Sequence, residues 1–518
     1  MTTLAQPSVY LYHRASATPA PTVDAPSALR GRAAIFCFAW AAYLLLHHTM
    51  VYWAWFRFSD GSGQRNLSSF AIGLLLWLAG SVAVLRSASL RWFTVLLVAH
   101  LVYEIPALPK TANHTFLTIC MNVTMLAAIA VHAMRSRRPF DDVDALFQRV
   151  AALLRLEVLA MYFFVVLHKL NADYFNPAYS AATTLYADVV RAYPFLPSGS
   201  WTEPLCIWGA LGCEAAIPLL LLFRRTRIAG VGLGLLFHYG LSLHGNAFIY
   251  SFSALLYAAY LLFLPRDVLI EFAGFWQRAL RPMRRVWTQL ALALIAVAAS
   301  IVSARLLAPS MVAEMRMIDH AHIALAATVR VIWNVVALFS IVAYARAVWV
   351  CIVPKEAPLQ TIAAEPFFRP ALSPLLAFPL LVAFNGLCPY LGLKTESAFA
   401  MYANLRTEGS RNNHLFMPRI DLANYQNDLV EIVDSSDPKL RELNRNGYGW
   451  THLEFRRKLS TAWNDAFWVT FRRNGVERTL SRKLHKNDPA FSPLPWYEQR
   501  LLFFRDVQLG ASPQRSGH

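Results

Sequence analysis

Apolar residues run along this chain in long blocks, separated by short basic or turn-rich links. Most blocks are roughly 20 residues long, the length of an α-helix that crosses a bilayer core. About eleven spans are expected, near 33–56, 67–85, 91–108, 115–134, 152–169, 205–223, 228–245, 247–264, 288–307, 323–349 and 372–392. The third and fifth each hold a carboxylate, Glu104 or Glu157. The seventh and eighth share only His244, Gly245 and Asn246, which predicts a tight helical hairpin. Before residue 33, PSVYLYHRASATPAPTVDAPSALRGR carries no periodicity and reads as disorder.

Three other stretches break the pattern. PFDDVDALFQRV (139–150) predicts a short amphipathic helix lying on the membrane face. Residues 170–204 are long for a connector: AYSAATTLYADVVRAY reads as helix and PFLPSGS as turns. A lid over a binding site and a solvated connector are both open readings of that segment. After residue 393 the charge density rises. WVTFRRNGVERTL predicts a β-hairpin turning at Asn474-Gly475, and DSSDPK turns into the short helix KLRELNRN. The expected fold class is an all-α polytopic membrane bundle of about eleven helices with a small α+β C-terminal extramembrane domain. The expected parts are a disordered N-terminus (1–32), a first transmembrane domain (33–265), additional transmembrane helices (266–393) and the C-terminal domain (394–518).

Composition agrees. Of 518 residues, 56% are hydrophobic and 15% charged, against about 25% charged in soluble domains. The net charge of +17 would suggest nucleic acid in a soluble protein, but the arginines cluster at the ends of apolar blocks. RSRR (135–138), RRTR (224–227) and Arg281, Arg284 and Arg285 are loop charges that set orientation, and no nucleic-acid partner is expected. With residues 1–32 in the cytoplasm these clusters fall on one side. The protein is then expected in a cell (inner) membrane with its C-terminal domain periplasmic. The first block comes too late for a cleavable signal and reads as an uncleaved anchor. Six cysteines without a CxxC are neither a disulfide framework nor a zinc pattern.

Ionisable residues at membrane depth are candidates for function. They are His47, His48, Glu104, Glu157, His168, Lys169, Glu214, His238 and His244. By position alone Lys169 reads best as snorkelling its ammonium to the interface; a desolvated, neutral amine acting as a base is the functional alternative. His114 precedes the fourth span on the same expected side. Glu214 has three open fates: a pair with Lys169, a pair with His238, or a protonated core carboxyl. His238 and His244 lie too far round a helix to chelate as an i, i+4 pair, and no metal is expected. GVGLGLL (230–236) lies within a span and reads as helix packing.

Two stretches carry a family resemblance. LHKLNADYF (167–175) resembles the lysine motif of vitamin K-dependent γ-carboxylases, of the form KKLDADW, and NHTFL (113–117) resembles their NHxYL motif. GCEAAIPLLLLFRRTRIAG and the FH…YSFSALLYAAYLLFLP segment resemble the wider horizontally transferred transmembrane (HTTM) family. The likeness covers roughly 33–265. His168 replaces the first motif lysine and Tyr174 its tryptophan. YANLRTEGSRNNHLFMP resembles the tails of bacterial HTTM proteins.

The resemblance implies an enzyme that oxygenates a reduced lipid naphthoquinone (vitamin K or menaquinol-like) to its epoxide with dioxygen. Carbon dioxide would add where carboxylation of an acceptor follows. It assigns Lys169 as the base and His114 to the oxygenation step. Asn113 would orient His114, while Asn171 and Asp173 would polarise Lys169; each is equally explained as a cap or turn residue. His168, Glu214 and His238 complete the candidate substrate-binding set. The expected partners are the bilayer and a lipid quinone. A second expectation is non-enzymatic: a membrane factor that matures, exports or protects a peptide or protein bound by the C-terminal domain.

Overall fold

The structure, a computed structural model, describes residues 31–58, 76–85, 89–135, 143–283, 317–352, 374–409, 411–462 and 464–510. Helices form along the apolar blocks. They are α1 (Arg32–Phe58), α2 (Leu76–Leu85), α3 (Leu90–Glu104), α4 (Asn113–Arg135), α5 (Val143–Lys169), α6 (Ala181–Ala192) and α7 (Thr202–Leu222). There follow α8 (Arg227–Ser242), α9 (Ala247–Tyr260), α10 (Arg266–Leu280), α11 (Met317–Ile352) and α12 (Ala377–Leu387). Neither glycine nor proline occurs in α1, α4 or α5, so nothing interrupts their hydrogen-bond ladders.

Among the described residues five helical segments are long and apolar enough to cross a membrane: Leu90–Ala107, Asn113–Arg135, Leu146–Lys169, Thr202–Leu222 and Thr328–Ile352. This is fewer than the eleven expected. Apolar helices at Arg32–His47, Leu76–Leu85, Phe248–Phe263 and Pro374–Leu387 are shorter, and α8 has 16 residues. The expected span at 288–307 lies outside the described residues. The α8–α9 hairpin forms across residues 243–246 as the sequence predicts.

The separate surface helix expected at 139–150 does not form. Its described part is the first two turns of α5, a single helix of 27 residues. No breaker stands between Val150 and Ala151, and Leu146, Phe147 and Val150 are buried in the bundle core.

The core joins α1 to α9, α5 to α12 and α7 to α8, with Trp40, Trp77, Leu96, Leu154 and Tyr260 fully buried. Several polar groups at depth are paired within the bundle. Tyr43 Oη lies 2.6 Å from Thr118 Oγ1, Thr124 Oγ1 donates to Glu157 Oε1, and Arg155 Nε donates to Leu262 O at 2.7 Å.

The C-terminal sheet has the antiparallel order β4-β3-β1-β2-β5, from β1 (Leu429–Ser435), β2 (Tyr448–Thr451), β3 (Trp468–Arg473), β4 (Val476–Ser481) and β5 (Val507–Gln508). The β3–β4 turn is the predicted one. Asn474 and Gly475 have φ of 52° and 77°, the left-handed pair a two-residue hairpin requires. Asp437 caps the helix Pro438–Arg445 by accepting from Lys439 N at 2.9 Å. Helices Pro438–Arg445 and His452–Ser460 cover a core that includes Val430, Ile432, Leu440, Phe455 and Phe471.

Residues 388–428 link bundle and sheet without a regular element. Tyr390, Phe399, Ala403 and Leu405 share the bundle's core, not the sheet's. Arg505 ties the link to the sheet: its Nε and Nη2 donate to Glu408 Oε1 and Oε2 at 2.9 and 3.0 Å. Burial alone would raise the Glu408 pKa. The guanidinium and its hydrogen bonds outweigh burial, and the carboxyl lies below its usual range.

Candidate functional site

Lys169 is the last residue of α5, and only 5% of it is exposed. Its Nζ lies 2.7 Å from Glu214 Oε2, about three turns into α7. The ammonium therefore does not snorkel outward. Of the three fates open to Glu214, the pair with Lys169 is the one formed. The Lys169 Nζ also lies 6.0 Å from the Tyr174 ring centroid.

His238 belongs to a different network. Its Nε2 lies 2.7 Å from Tyr162 Oη, which in turn is hydrogen-bonded to Tyr260 Oη. Gly234 makes room for this: a Cβ there would sit 2.5 Å from the Tyr260 ring. The His238 ring meets Phe252 edge to face at 5.3 Å between centroids, and Phe252 meets His114 at 6.1 Å. Phe252 thus touches both histidines.

His114 is the second residue of α4 and is buried, with neither ring nitrogen hydrogen-bonded. It lines a cavity of about 10 Å³ with Asn113, Met161, Val165, Phe252, Phe399 and Met401. That is room for about one water. Val165 and Met161 stand one and two turns before Lys169 on α5, so the cavity runs along the helix that ends at the ion pair. A larger groove of about 310 Å³ lies between α8 and α11, lined by Leu236, Val348 and Trp349 among others. Its lining holds no acid, histidine or lysine. The smaller space is the one lined by His114.

The cavity's roof comes from the C-terminal link. Asn113 Oδ1 accepts from Phe399 N at 2.5 Å, and Ser397 Oγ donates to Thr111 O. Asn113 therefore fixes the roof, not the His114 ring. Ser397, Phe399, Tyr402 and Asn404 all have φ between 51° and 63°. Four such residues in one short stretch cost backbone energy and persist only where the surroundings enforce them, as they often do at functional sites.

The remaining motif residues also hold this link. Asn171 Nδ2 donates to His168 O and Ala403 O at 2.7 and 2.6 Å, while its Oδ1 accepts from Tyr174 N. Asp173 Oδ2 accepts from Asn413 Nδ2 at 3.0 Å and lies 3.6 Å from Arg406 Nη1. His168 Nε2 lies 3.0 Å from Gly386 O on α12. At Gly386 a Cβ would meet Phe164 at 2.2 Å, so α5 and α12 approach more closely than any side chain allows. The hydrogen bonds of Asn171 run to its own turn and to the link, and that of Asp173 to the link; none runs to the Lys169 amine. Within residues 170–204, α6 is tied to the link by Ala181 N donating to Asn404 Oδ1, and to the α8–α9 turn by Asp188 and His244.

Two features go beyond what the sequence singled out, although His47 and Glu104 of the second are individual candidates there. Lys394 is buried, its Nζ 4.3 Å from the Phe116 ring centroid, and burial lowers its pKa. The other is a group with metal-ligand spacing among the described residues, where the sequence predicts none. His47 Nε2 and His100 Nε2 lie 3.5 and 3.9 Å from Glu104 Oε1. His100 and Glu104 are an i, i+4 pair on α3, a spacing that could have found them. Trp40 Nε1 donates to Asn122 Oδ1 at 3.0 Å, and Asn122 Nδ2 lies 3.0 Å from His100 Nδ1. An indole can only donate, so the amide orientation is fixed and neutral His100 carries its proton on Nε2, toward Glu104.

Neither a family model, nor a curated protein, nor a solved structure matches the chain.

Proposed function

We propose that this protein is a membrane enzyme that oxygenates a reduced lipid naphthoquinone, with the Lys169–Glu214 pair as its base and His114 assisting. The observation that carries the reading is the buried 2.7 Å ion pair at the end of α5. Both partners are largely withdrawn from solvent, and an intramembrane charge pair is expensive unless it has work to do. The motif resemblance at NHTFL and LHKLNADYF supports the same two residues. A proton shifted from Lys169 to Glu214 frees the amine to take another from a quinol hydroxyl. One atom of dioxygen then enters the epoxide and the other leaves as water. The cavity beside His114 is far too small for a naphthoquinol, so binding requires the Phe399–Met401 roof to move.

In this reading the apolar helices cross the inner membrane about eleven times. The N-terminus is cytoplasmic and the sheet domain periplasmic. Carboxylation of an acceptor by the basic intermediate is the further step the resemblance suggests.

The test is purified protein in detergent, given reduced menaquinone or vitamin K and dioxygen, with the epoxide followed by mass spectrometry. Epoxide is expected from the wild type. It should be lost in Lys169→Ala, in His114→Ala, and in the paired Lys169→Met, Glu214→Leu variant, which leaves no buried charge behind. Full turnover in either single variant would remove that residue from the mechanism. No epoxide from folded wild-type protein with any naphthoquinol would overturn the reading in favour of the partner-maturation role.

A further inference from the structure

His47, His100 and Glu104 converge from α1 and α3, and all three are buried. Their ligand atoms lie within 4.8 Å of one another. The 3.5 and 3.9 Å separations to Glu104 Oε1 exceed an N–H···O bond. They are close to the roughly 3–3.5 Å edges between two ligands that share a metal at about 2.1 Å. Glu104 Oε1 and His47 Nε2 have no hydrogen-bond partner, although both are buried. Two buried ligand atoms that face one another without a hydrogen bond in an apolar interior suit a positive centre between them. His47 is already oriented by its other nitrogen, 2.6 Å from Ser251 Oγ. That contact holds Nε2 toward Glu104, as the outer hydrogen bond of a metal-bound histidine does. The His114 ring stands perpendicular to His47 at 5.4 Å between centroids, with both its nitrogens unpaired.

We infer that His47, His100 and Glu104 bind a divalent transition-metal ion, with His114 beside it as the candidate fourth ligand. Two imidazoles and one carboxylate suit Zn²⁺ or Fe²⁺ and leave positions open for a small molecule. The group of His47, His100 and Glu104 stands independently of the quinol reading, with which only His114 is shared. It makes one demand on its surroundings. When a metal takes His100 Nε2, the ring proton must move to Nδ1, and Asn122 must turn its amide to accept it. Trp40 then loses its acceptor. A carboxylate at position 122 would accept from both rings at once, so Asn122→Asp should favour the metal-bound form.

The experiment uses the full chain, carried on an affinity tag free of histidine and stripped with chelator. Zn²⁺, Fe²⁺ (anaerobically) and Co²⁺ are then added, and bound metal is measured by elemental analysis and by the visible bands of Co²⁺. About one equivalent per chain is expected. Glu104→Gln and His47→Ala should bind at least about ten-fold more weakly. Asn122→Asp should bind more tightly, and His132→Ala, a buried histidine outside the group, should match wild type. Retention of Zn²⁺ or of Fe²⁺ through gel filtration identifies the resident ion. X-ray absorption of the loaded wild type should show two imidazoles at about 2.0–2.1 Å, a result that needs no variant to fold. Wild-type protein that holds no ion, loaded protein without imidazole scattering, or Glu104→Gln and His47→Ala variants that bind as tightly as wild type would each overturn the proposal.

Discussion

Lys169 Nζ, at the end of α5, lies 2.7 Å from Glu214 Oε2 in the middle of α7, and both side chains are buried. Two opposite charges withdrawn from water in this way are coupled. Each tolerates burial because of the other, and removal of one strands its partner.

Single substitutions at this pair should therefore be costly and the double one mild. Lys169→Met and Glu214→Leu should each destabilise by about 3–5 kcal/mol, because each leaves a buried group uncompensated. Lys169→Met with Glu214→Leu should cost clearly less than the sum, with a coupling of about 1–3 kcal/mol. Thermal unfolding in detergent measures all four corners of the cycle. Additive effects would mean that the two groups do not share a proton or a field.

Lys394 gives a pH signature. Burial lowers its pKa from the ordinary value of 10.5, while the Cys388 and Cys120 thiols, as thiolates, would act in the opposite sense. The unfolded chain therefore binds more protons than the folded one between the lowered value and 10.5, and stability must rise with pH through that window. Lys394→Met removes the titration and fills the same space on Phe116. Its melting temperature should exceed that of wild type near neutrality, and the gap should close as pH approaches 10. Equal pH slopes for the two proteins would show that the amine is solvated after all.

How much of this was legible in the sequence follows from where each signal resides. Helices α4, α5 and α7 are legible because roughly 20 consecutive apolar residues admit few other structures. The hairpin at Asn474-Gly475 is legible because the turn's backbone demands those residue types. The 139–150 helix was misread because amphipathic periodicity says nothing about whether the next turn continues; α5 simply runs on. Lys169 could be found as a charge at membrane depth. Glu214 could not be assigned to it, since the pairing depends on how α5 and α7 pack. The link at 397–414 was the least legible part. Its polar groups bond to α4, to the end of α5 and the turn after it, to α6 and to one another, so it has no period to read. Asn113, Asn171 and Asp173 stand out in the sequence beside the lysine and histidine motifs, and three of their partners lie in that link.

Asn413 is the clearest test of that link. Its Nδ2 donates to Asn404 O at 2.7 Å and Asp173 Oδ2 at 3.0 Å, and its Oδ1 accepts from Arg406 N at 2.8 Å. Beside it, His414 Nε2 lies 2.9 Å from Leu167 O. One side chain thus joins the turn after α5 to two points of the segment that roofs the cavity. Asn413→Ala should leave the Asp173 carboxylate with Arg406 alone and two backbone groups unpaired, at about 1–3 kcal/mol for each buried group left without a partner. The loss is local, so hydrogen exchange should quicken across 397–414 and in the 170–176 turn, while the sheet amides of β1 and β3 keep their protection. Asn413→Asp retains the acceptor toward Arg406 but sets a second carboxylate against Asp173, and it should loosen the same residues. Unchanged exchange in both variants would mean that the apolar contacts of Phe399, Ala403 and Leu405 hold the roof without this network.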